Sequence, residues 1–250
     1  MRLTIEVWRQ DNPEVEGHFE THLVEGAQEE MSLLELIDYL NDQLVSEGRE
    51  PIAYDSDCRE GICGTCGITV NDDAHGPVKN TPSCRQHLRS FKDGAVLRLE
   101  PFRSGAFPVI RDLVVDRSGM DRVLQAGGYI SVDAGTAADA DSMQIGHGRA
   151  EKALDFAACI GCGACISACP NGAANLFAGS LLNHLSTLPQ GSTERSKRAR
   201  AVIAELDESF GPCSVYGECA KVCPAGIPLS AIAAVNRERA RALIRTGKDD

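Results

Sequence analysis

The chain has 250 residues, 43% of them hydrophobic, a formal net charge of −11 and eleven cysteines. This length suits one large domain or two ordinary ones, and the acidic balance disfavours a general nucleic-acid binder. An odd cysteine count excludes a complete intrachain disulfide framework, and eleven is more than a protein of a reducing compartment needs as small apolar residues.

Leu3, Ile5 and Val7 alternate with polar neighbours and predict a first strand. Residues 11–17 read as a turn and 19–24 as the returning strand of a hairpin. The N-terminal stretch lacks the apolar core of a signal peptide, and no stretch reaches 18 uncharged apolar residues. A chain that stays on the cytoplasmic side and does not span a bilayer is expected. Ser32 and Glu35 form a capping-box pattern, followed by Leu33, Leu36, Ile37, Leu40 and Leu44 at helical spacing. They predict one helix with a face turned to the core.

Cys58, Cys63 and Cys66 follow the pattern C-x4-C-x2-C, the plant-ferredoxin spacing for a [2Fe–2S] centre. Cys84 is the next cysteine and the last before Cys159. Two irons bridged by two sulfides need four thiolates. Cys58 and Cys63 are assigned to one iron, Cys66 and Cys84 to the other. Gly61, Gly64 and Gly67 are expected to let the backbone wrap closely enough for amide N–H groups to reach sulfur. The competing readings are a zinc site, which would usually show two paired knuckles, or buried cysteines without a ligand role. His75 and His87 lie nearby; with four cysteines available neither is needed as a ligand, and both are expected at the surface or behind the thiolates. Residues 68–70 predict a short strand, 71–80 a turn around Gly76-Pro77, and 96–99 a strand closing the sheet before Pro101. Together they predict a β-grasp ferredoxin domain over residues 1–105.

Residues 106–148 read as a connector. The apolar run 107–116 is expected to bury against either domain or a partner, and the small acidic stretch 133–142 to form an exposed loop. A mostly helical domain over 149–250 then completes an α+β fold. Its first motif is Cys159-Ile-Gly-Cys162-Gly-Ala-Cys165-Ile-Ser-Ala-Cys169-Pro170, the bacterial-ferredoxin run whose fourth cysteine ligates the other cluster of a pair. The partner motif is Cys213-Ser-Val-Tyr-Gly-Glu-Cys219-Ala-Lys-Val-Cys223-Pro224, with Tyr216 where Cys162 stands in the first. Crossing the fourth ligands gives Cys159, Cys162, Cys165 and Cys223 for a [4Fe–4S] cluster. Cys169, Cys213 and Cys219 remain for a site with three thiolates. Such a site holds [3Fe–4S], or [4Fe–4S] with one labile corner. Four, four and three ligands account for all eleven cysteines. Around the motifs, 173–185 predicts an apolar helix, Pro189-Gln-Gly a break, and Ser192 the cap of a helix whose face is Ala199, Val202, Ile203, Leu206 and Phe210. Gly211-Pro212 ends that helix. Pro228 is expected to open a last helix through Leu229, Ile232 and Val235 to Ile244, with Arg237, Arg239, Arg241 and Arg245 on its solvated or interface side. Residues 190–248 carry 10 Lys/Arg against 6 Asp/Glu, a basic end that can face an acidic partner or anionic lipid.

No dinucleotide fingerprint, phosphate loop, serine elbow or HExxH motif occurs. The expected cofactors carry single electrons, and substrate chemistry belongs elsewhere. In their order and spacing the three motifs resemble the iron–sulfur subunit of succinate dehydrogenase/fumarate reductase over essentially the whole chain; the Tyr216 gap is the most specific part. The resemblance implies electron transfer through [2Fe–2S], [4Fe–4S] and [3Fe–4S] clusters. The donor would be covalently bound FAD on a flavoprotein partner that oxidises succinate. The acceptor would be a quinone near a membrane subunit carrying haem b. Ubiquinone-reducing members usually have histidine after the first cysteine of the second motif, where this chain has Ser214. They have tryptophan shortly after the first motif's proline, where this chain runs Asn171-Gly-Ala-Ala174-Asn175. These departures, with the long Cys66–Cys84 gap around His75-Gly76-Pro77, resemble the branch that pairs with a single dihaem membrane subunit and menaquinone. The alternatives are the same wire run towards fumarate, a diffusing ferredoxin-like carrier, and a dehydratase using an open cluster corner. The last lacks any acid–base constellation.

Overall fold

A computed structural model describes residues 1–129, 145–188 and 192–245. The acidic stretch 133–142 and the Pro189-Gln-Gly break lie outside the described residues. In chain order the elements are strands β1 (Leu3–Arg9) and β2 (His18–Val24), helix α1 (Leu33–Ser46), strands β3 (Ile68–Val70) and β4 (Asp73–Ala74), two 3-10 turns (Ser83–Arg85 and Leu88–Ser90), and strands β5 (Val96–Pro101), β6 (Val109–Arg111) and β7 (Val114–Val115). Helices α2 (Ser118–Gly127), α3 (His147–Ala157), α4 (Ala164–Ser167), α5 (Asn175–Thr187), α6 (Ser192–Ser209) and α7 (Glu218–Lys221) follow, then a 3-10 turn (Leu229–Ile232) and α8 (Ala233–Arg245). They form two compact units that do not follow chain order. The first is Met1–Arg117, Ile160–Ala168 and Val222–Ala225; the second is Ser118–Cys159, Cys169–Lys221 and Gly226–Asp250.

The first unit is built on a five-stranded sheet of order β2-β1-β5-β3-β4, with β1 and β5 parallel and the other pairs antiparallel. Leu3, Ile5 and Val7 are fully buried on one face, as strict alternation requires of a half-covered strand. Helix α1 covers that face with Leu33, Leu36, Ile37, Leu40 and Leu44. Its capping box is complete: the Ser32 hydroxyl accepts from the Glu35 N–H at 3.3 Å, and the Glu35 carboxylate accepts from the Ser32 N–H at 2.6 Å. This β-grasp arrangement is the one the pattern predicts. The chain returning from β4 docks on the start of α1: the Leu33 N–H donates to the Gln86 carbonyl at 2.8 Å and the Leu88 N–H to that of Met31 at 2.9 Å. That docking places the turn carrying Cys84.

His75 is 1% exposed, not at the surface. The Ser83 N–H donates to its Nδ1 at 3.2 Å, so Nδ1 bears the lone pair and the proton sits on Nε2. Burial holds its pKa down at about 4, with the positive charge of Arg117 acting in the same direction. His87 is half-buried, with Nδ1 2.9 Å from the Glu30 carbonyl. The run 107–116 folds into the β6–β7 hairpin within the first unit and buries Phe107 and Leu113 there. At its tip Asp112, itself buried and at φ 44°, accepts from the N–H groups of Gln10 (3.0 Å) and Ala53 (2.8 Å) and faces Arg9 at 3.3 Å.

The second unit is helical. Helix α5 is buried along most of its length, including Leu176, Phe177, Leu182 and Leu185, and packs against α3, α6 and α8. Its polar residues are satisfied inside: Ser180 donates to the Phe156 carbonyl, and Asn183 to that of Ala231 at 3.2 Å. Helices α6 and α8 are joined by Arg195, whose Nε and Nη2 meet the buried Glu238 carboxylate at 2.7 and 2.6 Å. Burial pushes that carboxyl upward, but the hydrogen bonds and charge of Arg195, with Arg237 adding to them, hold it below the usual range. The α6 face of Ala199, Val202, Ile203, Leu206 and Phe210 is buried as its spacing predicts. Two details differ from expectation. Pro228 caps a 3-10 turn, so α8 proper begins at Ala233, and Ile244 is 74% exposed. Helices α2 and α3 carry too few apolar residues to stand out in the sequence; α2 buries only Met120, Val123 and Gly127. Among the described residues no helix is long and apolar enough to cross a membrane.

Two outcomes test this packing. Asp112→Ala strands two backbone donors and removes one of the carboxylates facing Arg9, and is expected to destabilise the protein by about 3 kcal/mol in urea titrations. His75 has a folded-state pKa below its unfolded value of about 6.5, so its contribution is complete above that pH. It is lost as pH falls towards about 4, up to about 3 kcal/mol. In His75→Gln, which keeps an acceptor for Ser83, unfolding midpoints measured across that window should lose this part of their acid sensitivity.

Candidate metal centres

The loop over residues 58–66 has no regular structure, because its backbone donors are turned towards sulfur. The Glu60 and Ile62 N–H groups point at the Cys58 sulfur at 3.3 and 3.5 Å, with Arg59 and Gly61 in left-handed conformations between them. These two hydrogen bonds, with help from Cys63, pull the Cys58 thiol down to about 7. The Cys63 sulfur lies 3.1 Å from the Thr65 hydroxyl. The donors are thus the residues flanking a glycine, while Gly67 serves a different purpose: a side chain there would strike the Phe102 ring at 2.4 Å.

Cys66 and Cys84 are the buried half of this centre, 4% and 5% exposed. Burial pushes the Cys66 thiol up to about 12, and the neighbouring Cys84 adds to the rise although its N–H opposes it. Cys58 therefore interacts with Cys63, and Cys66 with Cys84. Left alone, the Cys66 thiol is protonated at neutral pH. Bound cationic irons reverse that, since a coordinating thiol is deprotonated outright. The donor set fits a [2Fe–2S] cluster: four thiols in two neighbouring pairs, one pair open and one enclosed. Among the described residues no three His, Cys, Asp or Glu side chains close on a point that one ion can occupy. A zinc ion needs its sulfurs about 2.3 Å from one centre, whereas thiolates around a cluster are spread over several irons.

Cys162 (7% exposed) precedes α4 and Cys165 lies on it; both belong to the first unit together with Cys223, while Cys159 and Cys169 belong to the second. Within the second unit the chain brings Cys169, Cys213 and Cys219 into mutual range. Burial raises the Cys219 thiol, and Cys213 and Cys169 push it the same way. Asn171 ties these segments together: its side-chain NH2 donates to the Pro212 carbonyl at 2.9 Å and to the Ser214 hydroxyl at 2.8 Å. The Gly211 N–H reaches the Gly172 carbonyl at 3.3 Å. Asn171 was legible only as a neighbour of the motif, because its partners lie about forty residues on. Tyr216 is 62% exposed, and the preceding Val215 is held at φ 60°, a strained conformation for a β-branched residue. An apolar cavity beside them is lined by residues including Cys169, Cys213, Tyr216 and Leu229. None of the eleven cysteines forms a disulfide.

Comparison with known proteins agrees with the two kinds of loop. A 2Fe-2S iron-sulfur cluster binding domain matches residues 4–122, and a 4Fe-4S dicluster domain matches residues 158–227. The succinate dehydrogenase iron-sulfur subunit of Bacillus subtilis is 32% identical over 199 residues, covering 77% of this chain and 74% of that protein. The fumarate reductase iron-sulfur subunit of Mycobacterium tuberculosis is 32% identical over 244 residues, covering 92% and 90%. The solved Sdh1 complex of Mycobacterium smegmatis in the apo form contains a chain with TM-score 0.69 and 21% identity, covering 99% of this chain and 98% of that one, a likeness of fold. On these matches the chain belongs to the iron–sulfur subunit family of succinate dehydrogenase and fumarate reductase.

Proposed function

We propose that the chain is the electron-conducting subunit of a succinate:quinone oxidoreductase, docked peripherally on the cytoplasmic side of a membrane. In this reading Cys58, Cys63, Cys66 and Cys84 hold [2Fe–2S]; Cys159, Cys162, Cys165 and Cys223 hold [4Fe–4S]; and Cys169, Cys213 and Cys219 hold [3Fe–4S]. When bound, the clusters supply one-electron transfer from FAD on a flavoprotein partner to a quinone at a haem-bearing membrane partner. The protein's own part is to fix the thiolates, enclose Cys66 and Cys84 away from water, and direct backbone N–H groups at the Cys58 sulfur.

The observation that carries this reading is the three-thiol grouping of Cys169, Cys213 and Cys219 beside Tyr216. A two-[4Fe–4S] carrier would have a fourth sulfur there, and a tyrosine exposed to solvent cannot replace it. Ser214 supports menaquinone and a dihaem membrane subunit: the position that holds histidine in ubiquinone-reducing members is a small hydroxyl engaged by Asn171. The reverse direction, fumarate reduction, is favoured by relatives such as the Mycobacterium tuberculosis fumarate reductase subunit; the same residues conduct either way.

Low-temperature EPR of the complex purified from membranes is expected to show an oxidised [3Fe–4S] signal and a reduced [2Fe–2S] signal. Four irons at the Cys213 site of the intact complex would sink the three-iron assignment. Tyr216→Cys is expected to recruit a fourth iron, abolish the oxidised three-iron signal and slow quinone reduction several-fold. Unchanged iron content in that variant would count against the positional argument.

A further inference from the structure

We infer that Arg117 is a positioning residue that clamps the Cys63–Cys66 loop onto the segment carrying Cys162 and holds one positive charge beside both. The inference rests on the ligand assignment proposed above. Arg117 follows the β6–β7 hairpin, whose exit is fixed by the Asp116 N–H donating to the Pro108 carbonyl at 2.9 Å. Its guanidinium Nη1 donates to the Gly64 carbonyl at 2.8 Å and faces that of Cys162 at 3.4 Å; Nη2 donates to the Thr65 carbonyl at 3.0 Å. Three carbonyls from two cluster loops therefore share one planar fork.

The loops meet directly at Gly64. A Cβ there would lie 2.1 Å from the Ile160 carbonyl oxygen and 2.9 Å from the Cys162 nitrogen, and Gly64 is at φ 73°. Only glycine permits so close an approach in that conformation. All of these residues belong to the first unit. Backbone from the two loops packed this closely presents carbonyl oxygens to one another, and aligned carbonyls repel unless a donor sits between them. Arginine suits that place because its five N–H groups lie in one rigid plane, whereas a lysine ammonium is a point charge.

Asp55 approaches Nη2 at 3.5 Å and is 44% exposed, while the Arg117 side chain is 18% exposed. Its field is felt at His75, where it adds to the effect of burial. A fixed cation between two electron carriers favours the reduced form of each, and the clamp sets how far apart they are held.

The test is redox titration of the intact complex, followed by EPR of each reduced cluster, in wild type, Arg117→Gln and Arg117→Lys. In Arg117→Gln the oxidised-to-reduced ratio of both [2Fe–2S] and [4Fe–4S] should rise about tenfold at the wild-type midpoint, or about 59 mV for a one-electron couple. Arg117→Lys keeps the charge and loses the fork, so the potentials should stay near wild type. The microwave power saturation of the reduced [2Fe–2S] signal should change, because mutual relaxation of two nearby spins depends steeply on their separation. Both potentials unchanged in Arg117→Gln at wild-type iron content, or a shift in one cluster alone, would overturn the inference. If Arg117→Gln does not retain iron, wild-type saturation behaviour in Arg117→Lys overturns the clamp. Absence of two distinct reduced signals in the wild-type complex would sink the ligand assignment itself, before any substitution is made.

Discussion

A thiol buried beside another thiol resists losing its proton, and the organisation of this chain depends on overcoming that resistance. Cys66, enclosed with Cys84, is pushed up to about 12, and Cys219 is raised among Cys213 and Cys169. Only cationic irons bring such groups to the thiolate at neutral pH. Cys58 sits at the other extreme, down at about 7 because two backbone N–H groups already point at it. One loop thus carries a thiol prepared for ionisation, Cys58, and a buried thiol that only a bound metal would ionise, Cys66.

Much of this was legible in the sequence, and the legible part has a common character. The strand alternation of Leu3, Ile5 and Val7, the Ser32–Glu35 capping box and the α6 face are local: each needs only a few residues and one period. The cysteine spacings are local in the same sense, since a ligand loop must close within a handful of bonds. Helices α2 and α3 escaped because a helix held by neighbours needs few apolar residues of its own. For His75 the sequence leaves two places open, the surface or a position behind the thiolates, and only the return of Ser83 across eight residues shows that it is enclosed. The hairpin over 107–116 leaves no mark in the sequence because its pairing partner is itself, and the tie back to the sheet runs through Asp112 to Gln10 and Ala53.

The residues that escaped share a chemistry as well. Asp112, Asn171 and Arg117 each bond to backbone groups of segments distant in the chain, and Gln86 does the same across one turn. Gln86, fully buried, donates to the carbonyls of Val78 and Thr81 at 2.8 and 3.1 Å and accepts from the Val78 N–H at 3.2 Å, closing the excursion that precedes Cys84. Loops that carry ligands cannot use helix or sheet ladders to satisfy their own polar groups, so side chains from elsewhere must do it. Such a side chain has no periodicity and no fixed spacing, and sequence patterns give no hint of it.

That division of labour bears on how a motif with a missing ligand is kept in place. With Tyr216 at the position of a fourth ligand, the motif keeps the spacing of Cys213, Cys219 and Cys223 but lacks a bond that would draw the loop onto a bound cluster. The loop nevertheless holds a strained Val215, and strain of about 1–2 kcal/mol at a β-branched residue persists only where the surroundings over-determine the backbone. Here the determining contacts are polar: Asn171 grips Pro212 and Ser214 at one end, and Gly211 is tied to Gly172. These contacts join the loop to the residues just after Cys169, the thiol assigned to the same site. Hydrogen bonds to the neighbouring motif thus do the anchoring that a fourth sulfur would otherwise do, and they leave the tyrosine face of the centre open to solvent.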